Sequence, residues 1–287
     1  MTAKSQTHSD GDLGDLLRVR DGFVLADVDT RSTPGYGQTK SDAQDDLAAG
    51  AEEFDELQER LYAQSRENPD SPAVLLVLQA MDTAGKGGIV RHVIGATDPQ
   101  GIHLKAFKKP TPEELEHDFL WRIEREVPRA GYIGVFDRSH YEDVLIGRVR
   151  SLATPDEIER RYDAINDFER RITDAGVHLV KVMLHISKDE QRERLAERLE
   201  RPDKHWKFNP GDIDERQLWD DYMGAYQVVL DRTSTPHAPW HVVPADRKWY
   251  ARLAVQALLL DVLERIDPQW PVASFDVEAE KKRLAAS

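Results

Sequence analysis

The chain has 287 residues, no cysteine and a formal net charge of −14. The length suits one large α/β domain with room for an inserted subdomain. The acidity argues against a general nucleic-acid binder, the missing cysteines exclude disulfides and thiol catalysis, and no apolar run reaches the roughly 18 residues of a membrane span. The polar start, Met1–Asp15, has no secretory apolar stretch, so cytoplasm is the expected location.

In chain order, residues 1–15 are polar and expected to be disordered. Residues 16–44, with Arg18, Arg20 and the turn-rich Thr33–Gly37, read as an irregular arm, so 1–44 is set off from a main domain over 45–287. From Ser41 a helix is predicted, because Leu47, Ala51, Phe54, Leu57 and Leu61 recur at helical spacing. Ala73–Ala80 is apolar throughout, as a strand buried on both faces of a parallel sheet reads. Further strands are predicted over Gly101–Phe107, Tyr132–Phe136, Val177–Ile186 and Trp240–Val243. Helices are predicted between and after them over Glu113–Glu126, Pro155–Ala175, Lys188–Leu199 and Lys248–Ile266. Alternation of this kind predicts a doubly wound parallel sheet with right-handed crossovers. The charged stretch 188–234 suits a flap better than core.

The first strand runs into Met81-Asp-Thr-Ala-Gly-Lys-Gly-Gly88 and then the apolar Ile89-Val90. Strand, glycine-rich turn, lysine and helix form the context of a phosphate loop. The N–H groups of Ala84, Gly85, Gly87 and Gly88 can curl around an anion at a helix N-terminus, and Lys86 adds a mobile charge. Ala80 stands where the usual pattern has glycine, and Gly87 where a Ser or Thr ligates Mg²⁺, so Asp82 is the oxygen donor left for a metal. Tyr132–Asp137 is an apolar strand ending in a carboxylate, the Walker B pattern, followed by Arg138. Separately each motif has a bland reading, as a plain turn and a strand terminator; together they specify a phosphate site.

Beyond these, Lys108 and Lys109 end the second strand, at the edge that faces a ligand crevice in this topology. Asp118 and Arg122 are four apart on the predicted 113–126 helix, which makes them a solvated ion pair or one face of a nucleotide site. Arg194, Arg198 and Arg201 form one helical stripe, with Lys204 and Lys207 beyond it. Interleaved glutamates allow a self-neutralising surface helix; the alternative is a lid whose arginines close over phosphates. The histidines lack HExxH-type spacing, which argues against zinc, and His140 is assigned no catalytic role. Trp206, Trp219, Trp240 and Trp249 are read as packing residues.

Gln79–Gly88, Phe107–Thr111, His117–Arg122, Phe136–Leu145 and Trp206–Lys207, in order and at compatible spacing over residues 45–265, resemble the second polyphosphate kinase family. The resemblance implies a thymidylate-kinase-like P-loop fold of three layers with a helical lid over 188–234, Mg²⁺ dependence and a homodimer or homotetramer. It implies transfer of the terminal phosphate of inorganic polyphosphate to AMP or ADP, with ATP among the nucleotides handled and neither nucleic acid nor membrane as partner. By residue matching, Asp82 and Asp137 would handle metal and acceptor geometry, Lys86 the phosphates and Arg138 the developing charge. Asp137 stands where many relatives have Asn. The 138–145 and 117–122 segments look like the branches that accept AMP. Two other readings share the motifs: an ATP-dependent nucleotide or small-metabolite kinase, and a non-catalytic nucleotide-binding regulator.

Overall fold

The computed structural model describes residues 13–287, so the disorder expected of residues 1–12 lies outside the described residues, while 13–15 fall in a short helix, Leu13–Leu17. The runs of Val, Leu and Ile form five strands: β1 (Ala73–Ala80), β2 (Ile102–Ala106), β3 (Ile133–Asp137), β4 (Val177–His185) and β5 (Trp240–Pro244). All ladders are parallel, in the order β2-β3-β1-β4-β5. Every residue of β1 is buried, as expected of the central strand of a sheet covered on both faces.

Six helices frame the sheet and its crevice: α1 (Lys40–Ser65), α2 (Lys86–His92), α3 (Pro155–Asp174), α4 (Lys188–Glu200), α5 (Trp219–Thr233) and α6 (Lys248–Ile266). Thr39 starts α1 with a reciprocal capping box to Asp42, so the helix opens at Lys40, inside the expected arm. The rest of the arm is irregular but docked. Leu17, Val19 and Leu25 are buried, Val19 N–H donates to the Trp240 carbonyl at 2.8 Å, and Thr30 Oγ1 donates to Asp246 at 2.8 Å.

Three expectations need correction. The 113–126 helix is broken into a 3₁₀ turn, Glu114–Glu116, and one helical turn, Trp121–Glu124. Thr111 and Glu114 cap one another, and the Asp118 carboxylate accepts from Leu120 N–H at 3.1 Å, so local side chains take backbone partners that a continuous helix would need. The stretch 188–234 is not all flap: α5 buries Trp219, Tyr222, Ala225, Tyr226, Val229 and Leu230 against the core. Only 188–218 extends over the crevice, carried by α4, a 3₁₀ turn (Pro202–Lys207) and a short helix (Gly211–Gln217). Lastly, Trp206 is 78% exposed, with the Lys207 ammonium over its ring and no place in the core, although Trp219 and Trp240 are buried.

His185 ends β4 with its ring buried, and burial lowers its pKa to about 4, with Asp246 opposing the shift. The unfolded chain therefore takes up this proton near pH 6.5 while the folded chain does not. Stability should be intact above that pH and fall between pH 6.5 and 4 by on the order of 3 kcal/mol from this group. Urea unfolding across that range should show a steeper loss for the native chain than for His185→Gln; equal slopes would contradict the burial account.

Candidate active site

The parallel register places Leu78 beside Asp137, so β1 and β3 deliver the 81–88 loop and Asp137 to adjacent points on the C-terminal edge of the sheet. Two residues there hold left-handed backbone without being glycine, Thr83 at φ 67° and Arg138 at φ 64°. Such conformations cost of order 1–3 kcal/mol each and cluster where geometry serves function. Gly85, at φ 122°, occupies a region closed to other side chains and stands at the N-terminus of α2.

Across the edge, Arg138 donates to Asp82 Oδ1 at 2.8 Å. The Arg138 pKa is raised: desolvation opposes this, but Glu142, Asp82 and Asp137 outweigh it. Lys86 Nζ donates to the Ala80 carbonyl at 3.1 Å, which leaves two of its three donors for a ligand. Asp137 lines the cleft, and no hydrogen bond to its carboxylate is formed among the described residues.

A cleft of about 520 Å³ opens over the loop. Of the residues singled out from the sequence, it brings together Asp82, Ala84, Gly85, Lys86, Gly87, Gly88, Lys108, Asp137, Arg138, Arg198, Lys204 and Lys207. Arg91, His92, Lys248 and Arg252 also line it. Sequence reasoning missed these four. Arg91 follows Lys86 in the same short helix and Lys248 and Arg252 are four apart in α6, but only the fold brings the two helices together.

Other expected residues are elsewhere. Arg201 is half-exposed and forks onto Asp203, with a second contact to Glu197. Lys109 is not among the cleft residues. Asp118 and Arg122 do not share a helix face. Asp118 pairs with Arg160 at 3.0 Å, whereas Arg122 is buried and donates to the Lys108 carbonyl at 2.8 Å. Arg194 lines the cleft wall, but its guanidinium is spent on backbone carbonyls and Glu190.

On the other side of the Asp82–Arg138 pair lies a smaller recess of about 260 Å³, walled by Leu145, Ile146, Tyr222 and Tyr226 and carrying Glu142, Asp212 and Glu215. Burial pushes the Glu142 carboxyl up, against the pull of Arg138 and Lys86; burial and Asp82 push Asp212 up. The buried Gln79 amide lies 3.0 Å from Ser139 Oγ and, with its nitrogen turned to the carboxylate, 2.9 Å from Glu142.

Beneath the Arg138 turn is a buried ionic network. Lys181, in the middle of β4, donates to Glu169 Oε2 at 2.6 Å, to the Tyr141 hydroxyl at 2.9 Å and to the Thr233 carbonyl at 2.7 Å. Tyr141 in turn donates to Glu169 Oε1 at 2.6 Å, and His140 lies against the same oxygen. Burial raises the Glu169 pKa, and Lys181 and His140 outweigh that and lower it. His140 is thus enclosed and is not among the cleft residues. A lysine amid the apolar Val177–Ile186 run was the available signal for this network.

A sequence profile of the family described as Polyphosphate kinase 2 (PPK2) matches residues 37–271. Over 249 residues the chain is 43% identical to an AMP/ADP-polyphosphate phosphotransferase of Meiothermus ruber, covering 87% of this chain and 91% of that one. It is also 43% identical over 254 residues to an ADP-polyphosphate phosphotransferase of Rhodopseudomonas palustris, covering 84% of this chain and 86% of the relative. A crystal structure of polyphosphate kinase 2 from Arthrobacter aurescens superimposes with a TM-score of 0.94 at 58% identity, covering 97% of this chain and 98% of that one.

Removing one partner of a buried ion pair leaves the other uncompensated. Lys181→Met should therefore cost about 3–5 kcal/mol in urea unfolding, and Lys181→Met with Glu169→Leu should recover part of that loss. A single variant as stable as the native chain would contradict the geometry described.

Proposed function

Because the chain belongs to the polyphosphate kinase 2 family, we propose that it moves the terminal phosphate of inorganic polyphosphate onto AMP and ADP, reversibly. It is a polyphosphate:nucleotide phosphotransferase with a P-loop kinase fold. The observation that carries the reading of the site is the charge of the larger cleft. In a chain of net charge −14, Lys86, Arg91, Lys108, Arg198, Lys204, Lys207, Lys248 and Arg252 converge on one loop. A cleft whose cations far outnumber its carboxylates, Asp82, Asp137 and Glu197, suits a polyanion many phosphates long better than a single nucleotide.

The smaller recess fits the acceptor's nucleoside. Tyr222, Tyr226, Leu145 and Ile146 give it an apolar wall, and its carboxylates can accept from an exocyclic amine. The Asp82–Arg138 pair stands between the two recesses, where donor and acceptor phosphates would meet. Lys108 remains within reach of a phosphate in the cleft; Lys109, Asp118 and Arg122 have no part in this reading, and Arg201 is an ordinary surface residue.

In the transfer, an oxygen of the acceptor phosphate bonds to the terminal phosphorus as that atom's bond to the bridging oxygen breaks. The shortened polyphosphate leaves with the electron pair. Positioning and charge neutralisation dominate such a reaction, so no proton-transfer residue is required. Lys86 and the loop N–H groups would face the equatorial oxygens, and Arg138 would trade Asp82 for the developing charge. Asp82 and Asp137 fit Mg²⁺: both are hard oxygen donors in the cleft, Asp137 has its carboxylate uncommitted, and Asp82 has one oxygen beyond its bond to Arg138. The metal supplies further neutralisation of phosphate charge. Residues 188–218 act as the lid, and 13–39 as a docked arm of the same domain. Assembly as a homodimer or homotetramer in the cytoplasm rests on the family resemblance and on composition. Among the described residues no helix is long and apolar enough to cross a membrane.

The test exploits the divergence of two arginines that share a sequence stripe. With polyphosphate as sole donor and AMP or ADP as acceptor, Arg198→Ala should raise the apparent KM for polyphosphate. It should also flatten its dependence on salt, because fewer counterions are exchanged on binding. Arg201→Ala should behave as native. Equal effects of the two variants would contradict the placement of the donor, and absence of turnover by the native chain would remove the function.

A further inference from the structure

Arg194 is 5% exposed and every donor on its guanidinium is engaged. Nη1 donates to the carbonyls of Thr83 at 3.0 Å and Ala84 at 2.8 Å, and Nη2 to those of Ala245 at 2.6 Å and Asp246 at 3.1 Å. Nε donates to Glu190 at 2.7 Å. Arginine has five N–H donors, so none remains for a phosphate. One turn earlier on the same helix, the buried Gln191 donates from Nε2 to the Asp82 carbonyl at 3.2 Å. Three consecutive loop carbonyls, at 82, 83 and 84, are thus held by α4.

The polarity of the peptide gives this a consequence. A loop that cradles an anion turns successive N–H groups inward, and its carbonyls then face away from the ligand. Those carbonyls need donors of their own if they are buried. Without them, a left-handed residue such as Thr83 can relax to ordinary backbone and rotate its peptide out of register. The anchor for α4 is equally specific. Asp246 accepts from Ser187 N–H at 2.8 Å and from Ser187 Oγ at 3.0 Å, at the very residue that caps α4. The same carboxylate accepts from Thr30 of the N-terminal arm.

We infer that Arg194, with Gln191, is a positioning residue: it fixes the anion-binding shape of the 82–88 loop from the carbonyl side and does not itself bind phosphate. Asp246 and Thr30 extend this support from the loop through the lid helix to the arm. The kinetic half of the test rests on the cleft being the polyphosphate site; the exchange half needs no substrate and stands whether or not that assignment holds.

The experiment compares Arg194→Lys, Gln191→Leu and Arg198→Ala in the full chain. Lysine keeps the charge of Arg194 but has three donors instead of five. For Arg194→Lys, kcat should fall about tenfold to a hundredfold, as small misplacements at a reacting centre do. The salt slope of its apparent KM for polyphosphate should stay within about twofold of native, because no cation facing the donor is removed. Hydrogen–deuterium exchange without substrate should be faster in peptides covering 82–88 and unchanged in 73–80. Gln191→Leu should show the same pattern more weakly, and it carries the comparison if Arg194→Lys does not fold. A raised KM with a flattened salt slope and native exchange, the pattern expected of Arg198→Ala, would overturn the inference and make Arg194 a phosphate ligand. Native exchange in both Arg194→Lys and Gln191→Leu would overturn it as well.

Discussion

A backbone that offers its N–H groups to an anion must dispose of its carbonyls, and much of this molecule follows from how that is done. The carbonyls of residues 80, 82, 83 and 84 are taken by Lys86, Gln191 and Arg194. Two of those donors belong to α4, so the helix that carries the lid also supports the loop it covers. The coupling continues through Asp246 into the N-terminal arm. On the neighbouring strand, the Arg138 turn is propped from below by the Lys181–Glu169–Tyr141 network. The loop and the Arg138 turn are thus held in shape by Gln191, Arg194 and the buried network, the kind of preorganisation on which electrostatic catalysis draws.

Charge distribution is the second constraint. A net charge of −14 would repel a polyanionic donor unless cations were gathered locally. They are gathered from four separated stretches, at 86–91, 108, 198–207 and 248–252. The recess across the Asp82–Arg138 pair has the opposite character, with three carboxylates and two tyrosines. The ion pair at the boundary holds Arg138 where the two recesses meet.

Much of this could be read in the sequence, and the limits have physical causes. β1 is legible to the residue because a strand buried on both faces has no polar interruption, and the end of α6 because Pro268 follows Asp267 and cannot continue a helix. The loop and Asp137 were legible because their chemistry is tied to strand ends. The 113–126 helix was not, since Thr111 and Asp118 compete for the backbone in a way that periodicity does not register. Residues 219–233 read as flap in the sequence because the charged run before them masks their apolar stripe. Arg194 and Arg198 occupy one helical stripe, yet a rotation toward the loop carbonyls buries the first and leaves the second facing the cleft. Periodicity can say that two side chains share a face, but not which of them the rest of the fold will enclose.

The identity of the donor separates this cationic cleft from that of an ATP-dependent kinase: phosphate should come from an inorganic chain and not from a nucleoside triphosphate. Its most direct measurement incubates the native chain with Mg²⁺ and AMP or ADP, using polyphosphate or ATP as the sole donor, and follows nucleotides together with polyphosphate chain ends. Polyphosphate should support conversion of AMP to ADP and then to ATP, matched by phosphate lost from the chains without release of orthophosphate. Phosphorylation from ATP with neither AMP nor ADP phosphorylated from polyphosphate would contradict it.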